Sequence, residues 1–474
     1  MTPTAEQLAI IDAAQNTADN LIIEALAGAA KTTTLELIAK ALPGVDILCL
    51  AFNKKIAVEM SFRLPSNCEA RTLNSIGHSV WATGLGKRIT INTSKTYKIL
   101  TELVKKLPDD EQKAVYADFG EIMKTVSLAK AYGFVPDGVK NMARLHDESS
   151  FFATLEEELP PFIQNLICDA LRESITQAWK GVCDFDDQVY MPTLGPGVFP
   201  RKPLVLIDEA QDLSELNHAM LAKLAKKRLI AVGDRCQAIY AFRGANNNSM
   251  DELTQRFSMR KLQLTTSFRC PRRVVQEAHF RAPQMLAPEW AVEGTVEHLT
   301  TWTPADIPES SAILCRNNAP LFNMAIKLLK AGRYPELIGN DIGKGLIKIM
   351  QKFGKPSMPQ TAVIDAIESW REEKLKKSRA KGSVNDRADC LTIFAEMGDT
   401  LGDAIAYAEH IFTSSGPIKL MTVHKSKGLE FPNVFILDAA LIRQEGQDPN
   451  LRYVAITRAK ENLRYINSEN FTVN

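Results

Sequence analysis

The sequence predicts an α/β protein of two parallel-sheet cores, each interrupted by a mainly helical insertion. Three observations lead there. Short apolar runs, LIIEAL (21–26) and VDILCLAF (45–52), alternate with helical periodicity over the first 80 residues, the rhythm of strand–helix–strand units in a parallel sheet. Strand signals of the same kind return as PLVLIDEA (203–210) and RLIAVGD (228–234), then as SAILCR (311–316), IKLMTV (418–423) and NVFILDA (433–439). Between these blocks the texture changes to long helical periodicity, over 94–179 and again over about 339–415. The expected modules are therefore 1–84 with 189–262 as the first core, 85–188 as its insertion, 263–338 with 415–474 as the second core, and 339–414 as the second insertion.

Within the first insertion, SKTYKILTELVKKL (94–107) and PFIQNLICDALRESITQAWK (161–180) carry the clearest helical spacing. The second insertion holds a charged run, REEKLKKSRAKGSVNDR (371–387), and a shorter run, KLAKKR (223–228), precedes RLIAVGD. Either run reads as a solvated face or as a contact to duplex phosphates.

Composition bounds the rest. The chain has 474 residues, 45% apolar and 24% charged, enough for more than one hydrophobic core. Lys and Arg number 57 against 56 Asp and Glu, which excludes a wholly basic nucleic-acid scaffold and leaves room only for local patches. No apolar run approaches the ~18 residues of a membrane span, and MTPTAEQLAI lacks the segments of a signal peptide. Eight scattered cysteines without a CxxC pair exclude the familiar zinc spacings and suit reduced thiols. A cytoplasmic location is expected, with no membrane partner and a monomeric chain.

The chemistry is signalled by ALAGAAKT (25–32), which lies between a strand and a helix as a phosphate-binding loop must. Small residues at Ala27, Gly28, Ala29 and Ala30 let backbone N–H groups approach phosphate, and the helix start at Thr32 and Thr33 favours negative charge. Lys31 is placed to reach the β- and γ-phosphates, and Thr32 to hold Mg²⁺. The loop departs from G-x-x-x-x-G-K-[ST] at Ala25 and Ala30, and Ala30 adds a Cβ where the chain turns into the helix. LVLIDEAQD then ends an apolar strand in Asp208, a candidate Mg²⁺ ligand, and Glu209, a candidate acceptor for the proton of an attacking water. A plain strand-to-helix turn and a plain helix cap are the alternatives for these two segments taken singly. Together they point to an ATPase using ATP and Mg²⁺.

An ordered series of further segments resembles the motifs of superfamily 1 DNA helicases of the UvrD/Rep/PcrA type. It runs through TAEQLAII (4–11), AFNKKIAVEM (51–60), TLNSIGHSVW (72–81), DEAQD (208–212) and AVGDRCQAIYAFRGA (231–245). It continues with LTTSFRCP (264–271), LMTVHKSKGLEFPNVFIL (420–437) and YVAITRAKENL (453–463). The resemblance implies two RecA-like cores with Mg²⁺-ATP held between them. It further implies that Gln7 reads the adenine edge, Phe268 stacks on the base and Glu430 binds the ribose. Gln237 resembles the γ-phosphate sensor, and Arg269 and Arg458 the arginine fingers, whose fixed charge suits a transferred phosphoryl group.

The same resemblance places Phe52, Tyr240, Phe242, Arg243, Asn318 and His424 on a single DNA strand, the aromatic and cationic set that sequence-tolerant binding needs. Lys54, Lys55, Ser75 and His78 are further candidates. Phe242 stands where many relatives carry Trp. The second insertion is much smaller than in full-length relatives, where that subdomain contacts duplex DNA and moderates unwinding. The activity implied is ATP-driven movement on single-stranded DNA with 3′ to 5′ polarity, acting at single-strand/duplex junctions alongside accessory replication or repair proteins. The alternatives are a translocase that displaces proteins without processive unwinding, and an ATP-gated single-strand-binding regulator.

Overall fold

The computed structural model describes residues 2–240, 248–378 and 381–471. The chain divides into two compact units, Met1–Leu26 with Ala30–Leu264, and Ala27–Ala29 with Thr265–Asn474. The described residues form two six-stranded sheets, one per unit, and every ladder in them is parallel.

The first unit begins with β1 (Leu21–Ala25), β2 (Ile47–Leu50) and β3 (Cys68–Arg71). A two-stranded pair, β4 (Thr90–Ile91) and β5 (Val182–Cys183), brackets the first insertion; β6 (Lys202–Ile207), β7 (Ala225–Gly233) and β8 (Arg260–Leu264) follow. The order across the sheet is β3-β2-β6-β7-β1-β8. Central strands such as β2 are buried along their whole length, as a sheet covered on both faces requires. Edge strands β3 (CEAR) and β8 (RKLQL) carry charge and have only partial burial, which is why no apolar run announced them.

The first insertion has a core of its own, built from Ile99, Leu100, Phe134, Phe151, Leu166 and Leu171. It is joined to the helix Asp187–Leu194 by charge. Lys95 Nζ lies 2.6 Å from Asp187 Oδ2, and Lys130 Nζ lies 2.8 Å from both Asp187 Oδ1 and Asp184 Oδ2. Lys95, Lys130 and Asp187 are all buried. Burial pulls the Asp184 carboxyl up, but Lys130, the Asp187 N–H and Lys95 together outweigh it and hold Asp184 at about 2.

The second unit contains β9 (Thr295–His298), β10 (Ser311–Cys315), β11 (Pro335–Leu337), β12 (Ile418–Thr422), β13 (Phe431–Leu437) and β14 (Ala459–Ile466), in the order β11-β12-β10-β13-β14-β9. The helices of the second insertion, Asn340–Met350, Gln360–Lys377, Lys381–Ala395 and Leu401–Thr413, have no separate core. Leu346, Phe394 and Phe412 pack in one cluster with Ile313 and Phe435 of the sheet and Phe322 of the helix Ala319–Lys330.

The two charged runs are more structural than the sequence suggests. In KLAKKR, the Arg228 guanidinium donates to the carbonyls of Ala13, Ala14 and Asp19, capping the helix Ala5–Asn16, while Lys223 donates to Thr193 O. In the longer run Arg371 pairs with Asp389 and Glu368, and Asp386 accepts from Asn318. Among the described residues no helix is long and apolar enough to cross a membrane.

Asp187 balances two buried lysines, so Asp187→Ala is expected to destabilise the first unit by about 3–5 kcal/mol in urea unfolding, since it leaves buried charge unpaired. With Asp184 ordinarily near 3.8 and held at about 2 in the fold, its contribution is complete above pH ~4 and is lost as pH falls through about 2.

Candidate nucleotide and nucleic-acid site

β1 ends at Ala25, so this alanine is extended strand and needs no glycine. The loop turns at Gly28, with φ +75°, and enters the helix Lys31–Ala41 through Ala30, at φ 57° and ψ 41°. Ala30 therefore occupies the left-handed region that glycine would take without strain. Its carbonyl accepts from both the N–H and the hydroxyl of Thr34, at 2.9 and 3.0 Å, which holds the turn. Ala27 and Ala29 are buried, and Lys31, Thr32 and Thr33 form the half-buried first turn of the helix.

From here a continuous chain of hydrogen bonds, through side chains and two backbone N–H groups, crosses the first unit. Thr32 Oγ1 donates to Asp208 Oδ2 at 2.8 Å, just past the end of β6. Asp208 Oδ1 accepts from the Glu209 N–H at 2.9 Å, with Glu209 in the left-handed region at φ 55°. Gln211 Nε2 donates to Glu209 Oε2 at 2.5 Å, and Gln211 Oε1 accepts from the Asp234 N–H at 2.9 Å. Asp234 Oδ2 accepts from Gln237 Nε2 at 2.7 Å. Gln211 and Asp234 were visible in DEAQD and VGD but carried no assignment; their role emerges only from these contacts.

Burial, with the Glu209 carboxylate second, pushes Asp208 up to about 6 against the opposing pull of Lys31 and the Thr32 hydroxyl. Burial likewise raises Asp234. A buried carboxylate beside a threonine hydroxyl, still short of positive charge, is a donor set that fits Mg²⁺, an ion usually held by one or two protein groups plus phosphate oxygens. Gln7 is buried with both ends of its carboxamide engaged: Nε2 donates to Thr34 Oγ1 at 3.1 Å, and Oε1 accepts from the Thr4 N–H at 3.0 Å. It ties the helix Ala5–Asn16 to the helix Lys31–Ala41.

The second unit gathers Phe268, Arg269, Glu430 and Arg458. Arg269 Nε lies 2.8 Å from Glu430 Oε2, and its Nη1 donates to Thr457 O at 3.4 Å. Lys460 Nζ, which sequence reasoning missed, lies 3.3 Å from Glu430 Oε1. Burial raises Glu430, but Arg269 and Lys460 outweigh it and keep it below the usual glutamate range. Arg458 is almost fully buried, with Nε donating to Val454 O at 3.0 Å and Nη1 to Leu429 O at 3.1 Å.

The nucleic-acid set divides between the units. In the first, Phe52, 44% exposed, stacks on Tyr240 with ring centroids 6.1 Å apart and planes 4° from parallel. Both rings line a groove of about 730 Å³ shared with Asn74, Lys124, Phe185 and Asn217. Phe185 is exposed at the end of the first insertion, and no motif had marked it. In the second unit, Asn318 and His424 follow the C-terminal ends of the paired strands β10 and β12, where Cys315 faces Thr422. The Asn318 carboxamide donates to Asp386 Oδ2 at 2.9 Å. Phe242 and Arg243 lie outside the described residues. Of the lesser candidates, Ser75 is bonded to Arg71 and Thr72, and His78 to Gln188.

A family model of the UvrD/REP helicase N-terminal domain matches residues 199–258, and one of the UvrD-like helicase C-terminal domain matches 361–470. The first match contains the chain from Asp208 to Gln237, and the second contains His424, Glu430 and Arg458. F-box DNA helicase protein 1 of Schizosaccharomyces pombe is 23% identical over 520 residues, covering 97% of this chain and 57% of that protein. Gabija protein GajB of Bacillus cereus is 25% identical, covering 56% of this chain and 64% of its own length. DNA helicase IV of Escherichia coli is 25% identical, covering 55% of this chain and 44% of its own length. The chain thus spans about half the length of the curated relatives it matches.

Two outcomes follow from the loop and the carboxylate. Ala30→Gly relieves a left-handed alanine and is expected to stabilise the protein by about 0.5–1 kcal/mol in thermal unfolding, after the entropy that glycine adds to the unfolded chain. Asp208 has a folded-state pKa above its unfolded value, so magnesium-free protein loses stability as pH rises from about 4 through about 6. Asp208→Asn is expected to remove that slope, with a gain of about 2–3 kcal/mol at pH 8.

Proposed function

We propose that this chain, a member of the UvrD/Rep type of superfamily 1 helicases, is an ATP-driven motor that moves 3′ to 5′ on single-stranded DNA and unwinds duplex ahead of it. One observation carries the reading. The bonds Thr32–Asp208–Glu209–Gln211–Asp234–Gln237 run unbroken from the phosphate-loop helix to a residue three positions before Tyr240, whose ring stacks on Phe52. A nucleotide-dependent change at Thr32 and Asp208 is thereby linked to the aromatic pair that would hold a base. Binding energy becomes movement of the strand-holding groups.

In this reading Lys31 and the N–H groups of 27–32 hold the phosphates. Thr32 and Asp208 would hold Mg²⁺, which when bound offsets charge on the β- and γ-phosphates. Glu209, oriented by Gln211, accepts the proton of the attacking water. Gln237 senses the γ-phosphate through Asp234. Arg269 and Arg458 contribute fixed positive charge from the second unit, and Glu430 the ribose contact. Reaching substrate requires Arg269 and Glu430 to exchange their mutual ion pair for nucleotide contacts. The four-module division stands as part of this proposal: two cores carry the motor residues, and the insertions flank them.

A second reading, a translocase that strips proteins from DNA without processive unwinding, draws on the second insertion. Its helices spend their apolar faces in the core of the second sheet. Forked-duplex unwinding beside streptavidin displacement separates the two.

DNA-stimulated phosphate release is expected from the intact protein, with Lys31→Ala reduced by about 10²-fold or more, because a pre-placed cation at the phosphates is lost. Unwinding of 3′-tailed but not 5′-tailed duplex is the expected polarity. Equal inertness of wild type and Lys31→Ala in the presence of DNA sinks the motor reading.

A further inference from the structure

Trp290 is 66% exposed, yet it sits on a strap fixed at both ends. On one side Leu286 N–H donates to Thr265 O at 3.0 Å, and Ser267 N–H donates back to Leu286 O at 2.8 Å. On the other, Arg272 and Arg273 N–H donate to the carbonyls of Val292 and Glu293, each at 3.0 Å. Ala291 N–H closes a turn onto Pro288 O at 2.9 Å, and the Arg272 guanidinium donates to Glu289 O. The strap brings the indole to the phenyl ring of Phe268, with centroids 6.3 Å apart and planes 24° from parallel.

A large aromatic held in water by at least five backbone contacts is not explained by packing, because most of its surface remains unburied. Its neighbour Phe268 is the residue read as the base platform, and the next residue, Arg269, is paired with Glu430, read as the ribose contact. Two near-parallel rings with centroids 6.3 Å apart offer more aromatic surface to a base than either alone.

We propose that Trp290 extends the stacking surface of Phe268, so that both rings carry the base of the bound nucleoside triphosphate and favour a two-ring purine over a one-ring pyrimidine. The inference rests on the ATPase reading above. Trp290 is a binding and specificity residue: it takes no part in proton or phosphoryl transfer, so its loss falls on affinity and not on the chemical step.

The test compares wild type, Trp290→Ala and Trp290→Phe, each shown folded by circular dichroism. ADP binding is measured by isothermal titration calorimetry, and DNA-stimulated turnover is measured with ATP and with CTP. Trp290→Ala is expected to weaken ADP about tenfold and to lower the ATP-over-CTP ratio of kcat/KM by a similar factor, with kcat for ATP within about twofold of wild type. Trp290→Phe, which keeps a π-face, restores most of the affinity. If Trp290→Ala unfolds, Trp290→Leu carries the same test. Unchanged ADP affinity and unchanged ATP/CTP preference in a wild type that hydrolyses ATP overturn this inference and leave the motor reading standing. Failure of wild type to bind ADP or turn over ATP overturns both.

Discussion

The buried carboxylate of Asp208 is the constraint on which the first unit depends. A charge out of water must be compensated, and here the compensation is local and directional: the Thr32 hydroxyl, the Glu209 N–H and the field of Lys31. Each partner fixes a different piece of chain. The Thr32 bond brings the phosphate-loop helix to the mouth of β6, although β7 separates β6 from β1 in the sheet. The Glu209 bond accompanies a left-handed turn just past the strand, where Gln211 can reach both the glutamate and the loop after β7. The compensation remains incomplete, since Asp208 stays well above the usual aspartate range. That residual need for positive charge is what the proposed Mg²⁺ would meet.

The second unit handles charge differently. Arg458 is buried and donates to the backbone carbonyls of Val454 and Leu429, which helps to fix the guanidinium in place. Arg269 is instead paired with Glu430, itself shared with Lys460. One arginine is buried on backbone acceptors, and the other is held by an exposed-side ion pair with Glu430. The insertions contrast in the same way. The first keeps a separate apolar core and is fastened through Lys95, Lys130 and Asp187; the second has merged its apolar faces with the sheet.

Legibility in the sequence followed burial. Strands with continuous apolar runs, such as LVLI and ILCL, were readable because both faces are covered. The edge strands β3, β8 and β9 and the mixed β14 were not, because a strand with one open side or a polar alternation has no such run. Lys31, Thr32, Asp208 and Glu209 stood out because phosphate chemistry would call for those types in a strand–loop–helix setting, and the fold brings Thr32 to Asp208. Gln211, Lys460, Phe185 and Trp290 did not: a glutamine, a lysine and two aromatics in unremarked positions acquire meaning only from what lies across from them. KLAKKR misled in the opposite direction, its arginine serving as a helix cap.

By itself the sequence determined the α/β class, the strand–loop–helix setting of ALAGAAKT, the acidic strand end, and the ordered motifs that resemble UvrD/Rep helicases. All of these are local in the chain, where periodicity and spacing carry the information. Only the tertiary structure decided that Ala25 needs no glycine while Ala30 does, and that the Asn318 carboxamide is engaged by Asp386. Only it showed that Thr32 connects to Gln237 through four intervening residues, Asp208, Glu209, Gln211 and Asp234. Those facts depend on backbone dihedrals and on contacts between residues up to 176 positions apart, which no local pattern encodes.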